Sequence, residues 1–371
     1  MQSPPTILLS SGELSGDLHA ARLVRRIRER LPDARILAFA GDRCRDAGAE
    51  LLFHYNDYDV LGITGVIAGL PRFLALERSL KAYLDNGVDL FIPVDYPGLN
   101  LRLAARAREN GVPVLYYISP QVWAWGRGRM EKIARSVDRM AVILPFEEKL
   151  YRERGIDAEF VGHPFVVDHE LPEPLPQDER EGIALLPGSR RQEVKRILPA
   201  LAASAKRMGA RDAGLRFSVA RSSSIPGSLY HGILARAGLD ARLEDDAVDV
   251  MRRSRLLLVA SGTATLQGAL MKTPLVIVYK ASAMNYFLGR RLIKIPHIGL
   301  VNVILGEEVC QELIQSDAVA ERIVPAATEL LQDGRRRREM LGRFERLRET
   351  LSGGRGCDRV AEIALELLGA K

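Results

Sequence analysis

Four loops carry residues suited to holding or transferring charged groups. In Ser11-Gly12-Glu13-Leu14-Ser15-Gly16-Asp17, two glycines permit positive φ, and Ser15 or Asp17 is placed to cap a following helix. The spacing is neither GxGxxG nor GxxxxGK[ST], which sets aside a dinucleotide fingerprint and a P-loop. A capped turn accounts for the loop equally well, except for Glu13, whose carboxylate serves no packing purpose in a glycine turn. Asp95, in DLFIPVDYPGLN, closes an apolar strand and precedes Pro97, Gly98 and Asn100. An acid at the carboxyl end of a buried strand can take a raised pKa and act as a general base, or it can cap the next turn.

The third loop, Pro187-Gly188-Ser189-Arg190-Arg191-Gln192-Glu193, follows a strand and opens a helix with two arginines. The free N–H groups of a helix N-terminus, with Arg190 or Arg191 beside them, make a seat for a diphosphate. Basic residues in a first helical turn also oppose the macrodipole, a conflict that a bound anion relieves. The fourth loop, Ser261-Gly262-Thr263-Ala264-Thr265-Leu266-Gln267, is another strand-to-helix turn with small hydroxyl residues. Two such turns in one domain point to a nucleoside diphosphate. Neither is a Walker motif, so ATP hydrolysis is disfavoured.

Other features have plainer readings. No Ser/His/Asp order, metal-ligand spacing or DxD-like motif stands out, so neither a metal nor a cofactor is expected. His19 reads as exposed rather than as a base, and Trp123 and Trp125 as packing or pocket wall. Of the 53 basic residues 9 are lysine, leaving 44 arginines, and the formal charge of +6 favours anionic partners. Runs such as RLVRRIRER and Arg335 to Arg338 read as solvated helix faces, with membrane phosphates the lesser alternative for the second. Without an RNP-type motif or zinc finger, nucleic acid is not an expected partner.

The elements that must position these loops follow from the pattern of apolar runs. The chain, 371 residues and 47% hydrophobic, is too long for one ordinary domain and too apolar for disorder. Strands are expected at Thr6 to Ser10, Arg35 to Ala40, Asp89 to Asp95, Pro113 to Ser119 and Arg139 to Pro145, separated by helical patterns. Leu18, Ala21, Val24, Ile27 and Leu31 lay one apolar stripe along the first helix. The rhythm stops at HELPEPLPQDEREG, where Pro172, Pro174 and Pro176 alternate with polar residues. It resumes with strands at Gly182 to Leu186, Arg216 to Ala220, Leu256 to Ala260 and Leu275 to Tyr279. The expected organisation is an α/β chain of two doubly wound, Rossmann-like domains, 1–170 and 182–340, joined by a Pro-rich linker at 171–181. They would face a cleft that receives ligands at the carboxyl ends of the strands. A helical tail, 341–371, breaks at Gly353-Gly354 and carries a stripe of Val360, Ile363, Ala364 and Leu367; it would cross back to the first domain or reach a partner subunit.

Cys44, Cys310 and Cys357 form no CxxC or Cys/His cluster, which fits a reducing compartment. MQSPPTILLSSGELSGD lacks the form of a secretory signal, and a cytoplasmic location is expected. The smoothest apolar stretch, Val60 to Leu70, is 11 residues with three glycines, short of the roughly 20 needed to span a membrane.

In chain order, SGELSGD, VDYPGLN, YYISPQVWAWGRGRMEKI, LPFE, FVGHP, LLPGSR with Glu193, SGTATLQ and ILGEEVCQELIQ resemble the lipid-A-disaccharide synthases over almost the whole sequence. The resemblance implies a GT-B glycosyltransferase, cytoplasmic and peripheral on the inner membrane. It would join UDP-2,3-diacylglucosamine to 2,3-diacylglucosamine 1-phosphate, forming a β-1,6 disaccharide with release of UDP. On that reading Asp95 is the base. Arg190, with Gly188, Ser189, Glu193 and the two helix N-termini, stabilises UDP in place of a metal, and Ser261, Gly262, Thr263, Ala264, Thr265 and Gln267 hold phosphate or ribose. Gly12, Glu13, Ser15, Gly16, Asp17 and Asn100 would border the acceptor. The family pattern implies glutamate where this chain has Gln267, and an amide weakens a hydrogen bond from ribose.

Acyl chains need an apolar lining, for which Val60, Leu61, Ile63, Val66, Ile67, Leu70, Arg72 and Phe73 are the expected patch; an ordinary buried helix is the alternative. The resemblance and the Gly353-Gly354 break also allow a homodimer with exchanged tails. Two other functions fit less well: another UDP-sugar enzyme of this architecture, with a different acceptor or acting as a UDP-N-acetylglucosamine 2-epimerase, and a non-catalytic basic protein binding membrane or RNA.

Overall fold

A computed structural model describes residues 4–58, 62–121, 128–282, 286 and 296–369. The chain forms two compact units, Met1–Asp168 with Leu351–Lys371, and His169–Thr350.

In the first unit, strands and helices alternate: β1 (Thr6–Ser11), α1 (Leu14–Arg30), β2 (Arg35–Ala40), α2 (Asp42–Asp46), β3 (Glu50–His54), α3 (Gly62–Asp85), β4 (Leu90–Val94), α4 (Pro97–Glu109), β5 (Leu115–Tyr117), α5 (Gly128–Ser136), β6 (Arg139–Val142), α6 (Pro145–Arg152), β7 (Ala158–Phe160) and α7 (Pro164–Val167). The parallel sheet has the order β3-β2-β1-β4-β5-β6-β7. Its central strands read as unbroken apolar runs because helices cover both faces; every residue of LFIPV in β4 is buried.

The second unit repeats the plan with β8 (Ile183–Leu186), α8 (Arg191–Gly209), β9 (Phe217–Ala220), α9 (Gly227–Ala237), β10 (Arg242–Glu244), α10 (Ala247–Arg253), β11 (Leu256–Ala260), α11 (Thr263–Leu270), β12 (Leu275–Tyr279), α12 (Leu300–Leu305), β13 (Glu312–Ile314) and α13 (Ala320–Leu331). Its order is β10-β9-β8-β11-β12-β13, again all parallel. In each sheet the winding reverses direction between two central strands, β1 and β4 in one, β8 and β11 in the other. Loops beyond the carboxyl ends of such strands diverge and leave room for a ligand.

Residues 169–181 are not a free linker. The Arg180 guanidinium is buried and donates to the carbonyls of Leu175, Met271 and Lys272 and to Thr273 Oγ1, which fastens the proline segment to the second unit. Nor does the tail begin at 341: α14 (Arg335–Leu351) runs through that point. The final helix, α15 (Cys357–Leu367), packs on this chain's own first unit, with Cys357, Val360, Ala361, Ile363 and Ala364 in the core formed with α1. Burying a side chain such as Ile363 contributes about 1.5–3 kcal/mol. Gly354 at φ +132° lies so close to Val161 that an added Cβ would fall 2.4 Å from its backbone.

The arginine runs are largely solvated, Arg335 being 89% and Arg338 64% exposed, but some members are tied down. Arg22 of α1 donates to the Asp168 carbonyl, while Arg26 and Arg30 pair with Asp358. Arg337 is buried, donating to the carbonyls of Arg255 and Leu330 and to Gln177 Oε1.

Candidate functional site

Both switch points gather the loops singled out in the sequence. In the first unit, Ser11 of β1 pairs with Val94 of β4, which puts the Gly12 loop beside Asp95. Pro97 opens α4, and the two residues before it leave the helical region: Asp95 has φ +47° and Tyr96 φ +49°. Left-handed backbone at a non-glycine costs about 1 kcal/mol or more per residue, so this turn must be held from outside. The Tyr96 ring lies against Gly12, where a Cβ would meet it at 2.3 Å, and any larger residue would displace it.

The Asp95 carboxyl is pushed up to about 6, chiefly by burial and next by the Glu13 carboxylate; the Tyr96 backbone N–H and His19 pull the other way. A carboxylate with that pKa is largely ionised at neutral pH yet retains more basicity than an ordinary aspartate. Glu13 and Ser15 are exposed, with the Ser15 hydroxyl donating to Glu13 Oε1 at 3.1 Å. His19 is half-buried and lies within electrostatic reach of both Asp95 and His163.

Two expected acceptor residues face inward instead. The Asp17 carboxylate is buried and accepts from the N–H groups of Gly41 (2.8 Å), Arg43 (3.2 Å) and Cys44 (3.3 Å), so it caps α2 rather than its own helix. Ser15 does not cap α1 either: the N-cap position is Glu13, without a side-chain cap. Asn100 is fully buried and ties the ends of β1 and β4 together. Gly16 is required by the Ser11 hydroxyl, 2.9 Å from where a Cβ would stand.

The neighbouring loop after β5 was missed as a built element. Ser119 donates to Glu147 Oε1 at 2.6 Å, Glu147 Oε2 accepts the Leu144 N–H at 3.2 Å, and Tyr151 donates to the Pro120 carbonyl at 3.0 Å. These contacts tie the ISPQ and LPFE segments together. His163 of FVGHP is buried and held far below the ordinary histidine range, to about 3, mainly by burial, so it is neutral and accepts from the Phe165 N–H.

In the second unit, one cavity of about 500 Å³ is lined by Gly188, Ser189, Arg190 and Glu193 after β8, and by Ser261, Gly262, Thr263, Ala264 and Gln267 after β11. Two further loops complete it: Arg221, Ser222 and Ser223 after β9, and Asp245 with Ala247 after β10. Arg221 and Asp245 form a bidentate pair with both contacts at 2.7 Å. Sequence reasoning passed over them, although ARSSS directly follows an expected strand.

Arg190 is 82% exposed, and its guanidinium contacts Glu193 Oε1 at 3.3 Å. Glu193 also accepts the Arg190 N–H, so the first turn of α8 carries its own counter-charge, which partly relieves the conflict read from the two arginines. Gly188 is at φ +99°, with Glu193 occupying the space of any Cβ. Thr265 is buried and donates to the Gly262 carbonyl, while Ser261 donates to the Ile298 carbonyl, both at 2.8 Å. Thr265 therefore shapes the turn from within, and Thr263 is the exposed hydroxyl. Gln267 is half-buried along the cavity wall. Glu312 holds the chain that receives Ser261, accepting from the N–H groups of Ile298 and Gly299 and from Asn302 Nδ2.

Of the expected lipid patch, Val60 and Leu61 lie outside the described residues, as do Trp123 and Trp125 and the side chains of Ile63, Val66 and Ile67. Farther along α3, Leu70 is 51% and Leu74 49% exposed, Arg72 is exposed and Phe73 is half-buried. Leu76, Leu80 and Leu84 of the same helix turn into the core. Among the described residues no helix is long and apolar enough to cross a membrane, and no cluster of His, Cys, Asp or Glu has the form of a metal site.

Comparisons with known proteins bear on the family and the fold. The family model described as lipid-A-disaccharide synthetase matches residues 7–366. A lipid-A-disaccharide synthase of Myxococcus xanthus is 40% identical over 380 residues, covering 99% of both chains. Among solved structures, the glycotransferase of kitacinnamycin aligns with 99% of this chain and all of its own at a TM-score of 0.64 and 15% identity. A UDP-N-acetylglucosamine 2-epimerase described as putative, from Listeria monocytogenes, aligns with 98% of this chain and 95% of its own at a TM-score of 0.64 and 10% identity. These two share the fold, which is GT-B. The chain itself belongs to the lipid-A-disaccharide synthase family of glycosyltransferases.

Proposed function

We propose that this enzyme transfers the diacylglucosamine of UDP-2,3-diacylglucosamine to the 6-hydroxyl of 2,3-diacylglucosamine 1-phosphate with inversion, giving the β-1,6 disaccharide 1-phosphate and UDP. Family membership supports the substrates, and the raised, partly shielded carboxylate of Asp95 is the observation that carries the mechanism. As the acceptor oxygen attacks the anomeric carbon, its proton passes to Asp95. The bond from that carbon to the diphosphate oxygen breaks, and UDP leaves with the electron pair. Glu13 keeps Asp95 basic and borders the acceptor.

In the second unit, the 500 Å³ cavity takes UDP. Arg190 exchanges Glu193 for the diphosphate, the N-termini of α8 and α11 add oriented N–H groups, and Gln267 accepts from ribose. No metal or other cofactor belongs to this reading. The enzyme works from the cytoplasm on the inner-membrane surface, with Leu70 and Leu74 on either side of Arg72 entering the lipid boundary. Leu70→Asp with Leu74→Asp should abolish flotation with anionic vesicles while leaving the melting temperature in place; retained flotation would contradict that contact.

The reaction is tested by mass spectrometry of lipid products from the two substrates, beside Asp95→Ala. A tetra-acyl disaccharide 1-phosphate, lost by at least a thousandfold in the variant, is expected. UDP binding without disaccharide would move the assignment to another acceptor or to epimerisation.

A further inference from the structure

We infer that Asn100 is a positioning residue for Asp95, clamping the left-handed turn that presents the carboxylate. This inference rests on Asp95 acting as the base. The side chain of Asn100 is fully buried in the first turn of α4 and spends its polar groups on the two switch-point strands. Oδ1 accepts from Ser10 Oγ at 2.6 Å; Nδ2 donates to the Ser10 carbonyl at 3.2 Å and to the Asp95 carbonyl at 2.7 Å. A second donor, the Tyr116 hydroxyl, reaches the same Asp95 carbonyl at 2.7 Å, and the Asp95 N–H donates to the Tyr117 carbonyl at 3.1 Å.

Both peptide groups flanking the Asp95 Cα are thus fixed from α4 and β5, at a residue whose own φ of +47° is unfavourable and whose successor shares the problem. The contacts end on backbone atoms of Asp95 and leave its carboxylate to the Tyr96 N–H, within electrostatic reach of Glu13 and His19. Without the amide, the Asp95 peptide is free to relax toward the β region. The carboxylate then swings toward water and away from Glu13, losing both causes of its raised basicity.

The test compares the full-length enzyme with Asn100→Ala and Tyr116→Phe, measuring kcat, the donor KM and the pH dependence of kcat/KM. Asn100→Ala should lower kcat at least tenfold with the donor KM changed less than twofold, since the donor cavity lies in the other unit. The acid limb of its profile should move from near 6 toward the ordinary aspartate range. Tyr116→Phe, which removes one of the two donors, should shift the profile in the same direction with a three- to tenfold loss. A lower plateau with the limb unmoved would mean only less folded enzyme and would overturn the proposal; so would wild-type behaviour. Should Asn100→Ala fail to fold, Tyr116→Phe decides alone, by the same two readings. Loss of the Asp95 assignment itself is a separate result, read as full turnover in Asp95→Ala.

Discussion

At the switch point of the first unit, Asp95 sits in a turn whose backbone groups are all claimed, with Asn100 and Asp17 buried as internal braces. At that of the second unit the charged groups are paired with one another, the exposed Arg190 with the half-buried Glu193 and the half-buried Arg221 with the exposed Asp245. The same topology therefore supports two kinds of site. One holds a single carboxylate in a turn fixed by buried hydrogen bonds; the other holds its charges in ion pairs that the proposed donor would exchange. Surface ion pairs are worth little, so opening them for a diphosphate costs little, whereas moving the Asp95 turn means breaking buried hydrogen bonds.

Substitutions at the two sites should separate accordingly. Asp95→Asn has the largest expected effect on stability. Because the folded pKa of Asp95 lies above the ordinary value of 3.8, the folded state is favoured by protonation, and that advantage fades as pH rises through about 6. The neutral amide should accordingly stabilise the protein at pH 8 by up to about 3 kcal/mol, less what residual water screens, with no gain below about pH 4. Thermal unfolding across pH measures this, and destabilisation at pH 8 would say that the ionised carboxylate has unseen partners. Arg190→Ala should raise the donor KM about thirtyfold, corresponding to about 2 kcal/mol of a charge-assisted contact, with little change in melting temperature. An unchanged donor KM would leave the diphosphate to the helix N-termini alone. Gln267→Glu should act in the opposite direction and more weakly, lowering the donor KM a few-fold through a charge-assisted bond to ribose; a higher KM would remove Gln267 from the donor site.

The contrast also explains what could be read from the sequence. Central strands of a parallel sheet are unbroken apolar runs, so β1, β2, β4 and β8 were legible, and with them the loops that follow. The edge strands β3, β7, β10 and β13 are only three to five residues long and mostly half-buried, and no periodicity marks them. Glu13 stood out as a carboxylate in a glycine turn with no packing purpose, Asp95 as an acid closing a buried apolar strand, and Arg190 as a cation at a helix N-terminus that could seat an anion. Asp17 and Asn100, expected on the acceptor side, turn inward as braces, since residue type does not reveal whether a carboxylate or amide points toward solvent or toward buried polar groups. The bidentate Arg221–Asp245 pair was invisible because its members lie on different loops, 24 residues apart.

The most direct test of the central claim is the pH dependence of kcat/KM for disaccharide formation. With Asp95 as the base, a single acid limb is expected near pH 6, falling tenfold per pH unit below it as the carboxylate becomes protonated. A rate that stays level down to pH 4.5 would contradict it, and the proton acceptor would have to be sought elsewhere.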